Sequence, residues 1–169
     1  MRSKILITFA GFLASAALAQ EPAQTSHALK SDTPMTGSHI RHDIATGWEV
    51  PLNKTYAQLT PAQVEAFKSN YEPMAAGDEP PFPIKGMGSI IRAISKAMEV
   101  YPDRGQLFLV ARIDRNGNAL SVDVFSAPSP EIAQFVGEVL MLEKYKPAVC
   151  GGMPCVMDFP LSVELARKL

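Results

Sequence analysis

The two cysteines are the side chains of this 169-residue chain best suited to chemistry. Cys150 and Cys155 are separated by four residues, whereas a thiol oxidoreductase uses a two-residue spacing. Two thiols without a neighbouring histidine also make a poor zinc site. In an exported chain such a pair favours a structural disulfide, and a redox site is the alternative. A two-residue turn at Gly152-Met153 would set the cysteines opposite each other, although Pro154 cannot donate the closing hydrogen bond.

The three histidines offer a weaker case for a metal site. His27, His39 and His42 all fall in residues 20–59, which are rich in Ser, Thr, Pro and Ala and lack apolar periodicity. Only His39 and His42 have a helical ligand spacing, and we expect no third ligand beside them. We interpret residues 20–59 as an extended or disordered segment and expect no metal.

No catalytic motif stands out elsewhere in the chain. The sequence has no G-x-S-x-G, phosphate-binding loop, H-E-x-x-H or dinucleotide fingerprint. Asp114 and Asp123 are interpreted as a turn residue and a solvent-facing strand residue rather than acid–base catalysts. The sequence therefore predicts a protein that is not an enzyme and uses no cofactor.

The first 19 residues resemble a secretory signal peptide. Arg2 and Lys4 precede the apolar run Ile5–Ala19, which ends in the Ala-Leu-Ala pattern of a cleavage site. This run is shorter than the roughly 20 residues of a membrane-spanning helix. Cleavage after Ala19 would export the chain to the periplasm, and a retained inner-membrane anchor is the alternative.

The charge of the exported chain argues against two classes of partner. Loss of the two N-terminal basic residues leaves 14 basic and 17 acidic side chains, a net charge of −3 with neutral histidine. An excess of acidic groups gives no support for binding to nucleic acid or to an anionic membrane.

A hairpin at residues 106–126 is the strongest structural pattern. Apolar and polar residues alternate on both sides of Asn116-Gly117, a pair that favours a type I′ turn. With these two residues at the tip, one face of the hairpin is apolar and should be buried. The predicted opposing pairs are Ile113 with Leu120, Ala111 with Val122, and Leu109 with Val124.

Three helices and a final strand complete the predicted fold. Thr60-Pro61 begins a helix within residues 60–72, Gly88-Ser89 begins another up to Val100, and Ser129-Pro130 begins the third. The last strand alternates around Pro160, which suits an edge strand because proline lacks an N–H. We expect an α+β sandwich of two layers, a small antiparallel three-stranded sheet with helices packed on one face.

With these elements placed, residues 78–167 resemble the C-terminal domain of TonB-type energy transducers. The likeness depends on the order and spacing of several short segments. In chain order they are Glu79–Pro83, Gly105, Ile113–Gly117, Ser126–Pro130, Lys144–Ala148 and Phe159–Val163.

The resemblance implies a periplasmic domain that grips an extended segment of an outer-membrane transporter. In this family the last strand accepts that segment as an added strand, and a proline-aromatic motif lies near the same site. When the binding site of the family is carried over to this sequence, the residues expected to bind the partner are Glu79, Pro81, Phe82, Asp158, Pro160, Ser162 and Glu164. Full transducers keep an N-terminal helix with a histidine that couples to an inner-membrane motor, and residues 1–20 have none. A short anchored transducer is the alternative to an exported binding domain.

Overall fold

The computed structural model describes residues 50–166, and the predicted signal peptide and the three histidines lie outside them. Residues 50–166 form a mixed α+β fold around a three-stranded antiparallel sheet. The elements in chain order are a short 3-10 helix Tyr56–Gln58, α1 Pro61–Lys68, β1 Phe82–Pro83, α2 Gly88–Val100, β2 Gly105–Ile113, β3 Ala119–Ser126, α3 Pro130–Leu142, β4 Tyr145–Lys146, β5 Ala148–Cys150, β6 Met153–Cys155 and β7 Met157–Leu165.

The main sheet has the order β3-β2-β7, so the central strand is β2. All nine residues of β2 pair with β7, from Gly105 opposite Leu165 to Ile113 opposite Met157. The side chains of β2 are buried on both faces of the sheet, and only Arg112 is exposed. The predicted antiparallel three-stranded sheet is confirmed.

The hairpin between β2 and β3 follows the predicted register only in its middle. Leu109 faces Val124 and Ala111 faces Val122 as expected, but Ile113 faces Ala119 rather than Leu120. An irregularity between Arg112 and Ile113 shifts the pairing by one residue. The apolar alternation thus predicts the pairs in the body of the hairpin, and the turn decides the last one.

The turn itself is not the predicted type I′ turn. Gly117 has φ +78°, whereas Asn116 does not have a positive φ. The Asp114 carboxylate accepts hydrogen bonds from the backbone N–H groups of Asn116 and Asn118, both at 2.8 Å. Such an Asx arrangement favours a longer turn with glycine at its single left-handed position.

The helices begin where the cap signals predict, with one difference in chemistry. Thr60 accepts from the Gln63 N–H, and the Gln63 side chain accepts from the Thr60 N–H, a complete capping box. α1 ends at Lys68, so Tyr71 lies beyond the helix instead of in its last turn. Ser129 precedes α3 but makes no capping hydrogen bond with its hydroxyl.

α2 and α3 form the helical layer over the apolar face of the sheet. Each buries one stripe, and β2 and β7 supply the matching side chains of the core. The fully buried members are Ile90 of α2, Ile132, Val136 and Leu140 of α3, Leu107, Leu109, Ala111 and Ile113 of β2, and Phe159 and Leu161 of β7.

The disulfide predicted from sequence is present, but its hairpin has a different register. β5 and β6 are joined by Gly151-Gly152, both with positive φ, so Cys150 faces Met153 rather than Cys155. The disulfide therefore crosses the hairpin diagonally, with a Cα–Cα distance of 5.8 Å. Pro154 faces Val149, whose N–H and C=O bind the backbone of Glu79 instead. The absence of an N–H at Pro154 therefore costs no hydrogen bond to β5.

Candidate functional site

β7 carries four of the seven residues predicted to bind a partner, and it lies at one end of the main sheet. Among residues 50–166 it pairs with β2 alone. Met157, Phe159, Leu161 and Leu165 are buried on the helical face, as the alternation predicts. Asp158, Pro160, Ser162 and Glu164 therefore share the opposite face.

A hydrogen bond from Tyr71 identifies which backbone groups of β7 point away from the sheet. The Tyr71 hydroxyl donates to the backbone C=O of Asp158 at 2.8 Å. That carbonyl is therefore directed away from β2, and backbone groups two residues apart on a strand point the same way. The outward set then includes the C=O of Pro160 and the N–H groups of Ser162 and Glu164.

Pro160 fits this arrangement. It faces Val110 of the central strand, and its ring is buried on the sheet. Because the position of its absent N–H is an outward one, the pairing of β7 with β2 loses no bond. Pro160 nevertheless interrupts the row of donors that β7 offers to a further strand.

The exposure of the outer face increases toward the C-terminal end of β7. Asp158 and Ser162 are half-buried, and Glu164 is exposed. The Ser162 hydroxyl oxygen is buried without a hydrogen-bond partner among the described residues. Glu164 is thus the residue of this face most accessible to another chain, whereas the Ser162 hydroxyl is not exposed to solvent.

Arg112 and Asp158 form the charged pair of this face. Their closest nitrogen and oxygen are 4.0 Å apart, and the Arg112 side chain is 59% exposed. Burial raises the pKa of Asp158 above its usual value, and the neighbouring Arg112 guanidinium partly offsets that rise. The Asp158 carboxylate is therefore less favourable in the folded chain than in water.

The proline-aromatic segment is packed into the structure. Phe82 is fully buried, and its ring contacts Phe67 of α1 at a centroid distance of 5.3 Å. Phe67 in turn contacts Phe159 of β7 at 6.2 Å. Pro81 is buried as well. Phe82 is thus linked to β7 through the ring of Phe67, and the role of Pro81 and Phe82 in binding a partner stays a prediction.

Glu79 lies in a different place, beside β5. Its backbone N–H and C=O both bind Val149, and its carboxylate lies 2.8 Å from the Lys146 ammonium. The same ammonium is over the ring of Tyr56, 4.6 Å from its centroid. Glu79 therefore fastens the connector to the β5–β6 hairpin.

The geometry of the disulfide favours a structural role. Both cysteines are buried, which keeps an attacking thiolate away from the sulfurs. The hairpin is also held from outside, because the buried Asp78 carboxylate accepts from the Gly151 N–H at 2.8 Å. A disulfide of this kind fits an oxidising compartment.

Sequence reasoning missed Tyr71 as part of this edge. The one signal that the sequence offers is the spacing of Val64, Phe67 and Tyr71, which predicts that the three share one face of a helix. Nothing in that pattern indicates a hydrogen bond to a residue 87 positions later.

The described residues contain neither a metal-binding cluster nor a membrane-spanning helix. Residues 50–166 contain no cluster of three or more His, Cys, Asp or Glu side chains arranged to hold a metal ion. No helix in this range has the length and apolar character needed to cross a membrane.

Comparisons with models of known protein families, with curated proteins and with solved structures found no match to this chain.

Proposed function

We propose that this chain is a non-enzymatic binding domain of the periplasm that takes up an extended peptide as an added strand along β7. The observation that carries the proposal is the position of β7, a nine-residue strand at the end of the sheet whose outward backbone groups include the N–H groups of Ser162 and Glu164. The resemblance of residues 78–167 to TonB C-terminal domains supports the same edge.

The proposed partner is an extended segment of an outer-membrane transporter. The buried disulfide and the signal-peptide pattern of residues 1–19 both agree with an exported protein. A role in energy-coupled transport would also require contact with a motor protein. Residues 1–20 contain no histidine that could make this contact.

A proline at Ser162 tests the edge directly. Its N–H points outward, so Ser162→Pro should remove a donor available to an incoming strand and spare the pairing with β2. We expect the affinity for a transporter-derived peptide to fall by about 1 kcal/mol or more, with little change in melting temperature. Calorimetric titration and thermal unfolding measure the two quantities.

The matched control is Val163→Pro, one residue along the strand. Val163 faces Leu107, and its N–H is directed toward β2. This variant should therefore lower the melting temperature. Unchanged peptide affinity in Ser162→Pro would refute strand addition at β7.

The peptide can come from a pull-down with the full chain and an outer-membrane extract. The Ser162→Pro variant is used in parallel, so that only proteins lost with the variant are taken as candidates. Retention of no transporter by the unmodified chain would count against the proposed partner class.

A further inference from the structure

The outer face of the main sheet, the one that points away from the helices, is more deeply buried than an open sheet face would be. Its central side chains are Phe108 and Val110 of β2, which are only 3% and 2% exposed. Because successive residues of a strand point to opposite faces, neither side chain lies under the helical layer with Leu109 and Ala111. The burial of Phe108 and Val110 therefore needs a separate explanation.

The neighbours of Phe108 within the sheet are too small to bury its ring. Phe108 faces Ser126 of β3 and Ser162 of β7, and a serine side chain is shorter than a phenyl ring. The ring of Phe125 contacts Phe108 at a centroid distance of 5.3 Å. These neighbours shield the sides of a ring that stands on a sheet and leave its outer end open to water. An exposure of 3% therefore indicates that further residues pack on top of Phe108.

Two residues of β7 give the same indication. The Ser162 hydroxyl stands beside Phe108, where an uncovered sheet would leave it in contact with water. Its oxygen is instead buried, without a hydrogen-bond partner among residues 50–166. Pro160, which faces Val110, is buried as well. The cover on the outer face thus extends from β2 to β7.

The helices described within residues 50–166 pack on the other face of the sheet. Phe67 of α1 and Tyr145 of β4 both contact Phe159, whose side chain lies on the helical face. α3 lines a groove with Val122 and Val124 on that same face, and α2 packs on α3. The burial of the outer face is a property of the single chain, so its cover comes from this chain's own residues outside 50–166.

The segment that leads into Val50 is the best placed to provide the cover. Val50 is 4% exposed and belongs to the hydrophobic core, so the chain is already packed on the fold at this point. Residues 38–49 contribute three large apolar side chains, Ile40, Ile44 and Trp48. In extended form they reach about 40 Å, which exceeds the roughly 30 Å length of a nine-residue strand such as β2. Residues 1–19 would be lost with the predicted signal peptide.

We infer that residues 38–49 dock on the outer face of the same chain and bury Phe108 and Val110 under their apolar side chains. The contact uses the face of the sheet, whereas strand addition at β7 uses backbone groups of its edge. The inference is therefore independent of the proposed function. Without this segment, the outer face would expose a contiguous apolar patch to water.

Trp48 provides a direct measurement, because it is the only tryptophan of the chain. In the folded full chain, we expect acrylamide to quench its fluorescence about threefold less, or weaker still, than in the urea-unfolded chain. Phe108→Ser should raise the quenching, because the segment loses its main contact. The control is Leu142→Ser at the end of α3, an 82% exposed position, and it should leave the quenching unchanged. Quenching that is equal in Phe108→Ser and the wild type, with circular dichroism showing both folded, would overturn the inference.

Photo-crosslinking identifies the segment and does not depend on the folding of Phe108→Ser. The photoreactive residue p-benzoylphenylalanine replaces Phe125, which lies beside Phe108, and in a control protein it replaces Leu142. After illumination of the full chain, mass spectrometry should find position 125 joined to residues 38–49 of the same molecule, and position 142 not joined to them. A product with residues 1–37, a product between two chains, or no product at position 125 would overturn the inference.

Discussion

At the scale of single residues, Ala111 and Arg112 are neighbours on the central strand that lie on opposite faces of the sheet and differ in burial. Ala111 is fully buried under the helices, whereas the side chain of Arg112 is 59% exposed. We expect Ala111→Asp to destabilise the protein by several kcal/mol, since an unpaired carboxylate would enter the core.

Arg112→Gln should cost no more than about 1 kcal/mol, the usual range for an exposed ion pair. Chemical denaturation of both variants compares them on one scale. Similar losses in the two variants would mean that the helices cover the other face of the sheet.

The carboxyl group of Asp158 should give the stability of the protein a distinct pH dependence. Burial raises its pKa in the folded chain, so ionisation is less favourable there than in the unfolded chain. Below the usual Asp pKa both states hold the proton and the effect is absent. As the pH rises through the raised pKa, the wild-type protein therefore loses stability that Asp158→Asn does not lose.

The measurement is the difference in unfolding free energy between Asp158→Asn and the wild type, at about pH 3 and at pH 7. We expect this difference to shift in favour of the variant at the higher pH. In an Arg112→Gln background the shift should be larger, because the cation that lowers the pKa of Asp158 is removed. A difference that is constant with pH would contradict the burial of this carboxylate.

At the scale of elements, the hairpin turn is fixed by a close approach to β4. The Gly117 C=O accepts a hydrogen bond from the Tyr145 N–H at 2.9 Å. A Cβ on Gly117 would overlap the carbonyl oxygen of Tyr145, and φ at Gly117 is +78°. Gly117→Ala should therefore be strongly destabilising, by more than the roughly 1 kcal/mol that a left-handed conformation costs a non-glycine residue.

Gly151→Ala separates the two causes. Gly151 also has a positive φ, +58°, but a Cβ there would meet nothing within 4 Å. This variant should lose only the stability that a left-handed backbone costs a non-glycine residue. Equal melting temperatures for Gly117→Ala and Gly151→Ala would mean that the contact with Tyr145 contributes nothing.

The same elements explain which parts of the fold follow from sequence. The positions of the strands and helices can be predicted from the sequence, because the signals for them are local. Apolar spacing sets the type of element, and residues such as Thr60 and Pro130 mark where a helix begins. The predicted turn type was wrong because the rule for Asn116-Gly117 ignores the Asp114 carboxylate. This carboxylate accepts hydrogen bonds from two backbone N–H groups of the loop and thereby sets its conformation.

The candidate site was predictable only in part, for a similar reason. The alternation around Pro160 predicts an edge strand and its polar face. Contacts between distant segments, such as that of Tyr71 with Asp158, leave no local pattern.

At the scale of the whole molecule, the fold and the proposed function compete for one backbone carbonyl. Tyr71 uses the Asp158 C=O as an internal acceptor, in the place where an added strand would donate an N–H. A partner that pairs along the full length of β7 must share or displace this bond. Internal capping of an edge strand also protects it from pairing with another copy of the chain.

Tyr71→Phe separates stability from binding. Without the hydroxyl, the Asp158 carbonyl has lost this donor in the free protein, which should cost about 1 kcal/mol of stability. An incoming strand could then satisfy the carbonyl, so the affinity for a transporter-derived peptide should rise by several-fold while the melting temperature falls.

The matched control is Tyr145→Phe. The Tyr145 hydroxyl that this variant lacks donates to the C=O of Leu140 in α3 at 3.0 Å. It should lower the melting temperature without changing peptide affinity. A loss of affinity in Tyr71→Phe would instead make the Tyr71 hydroxyl a contact of the partner, and the competition for Asp158 would be refuted.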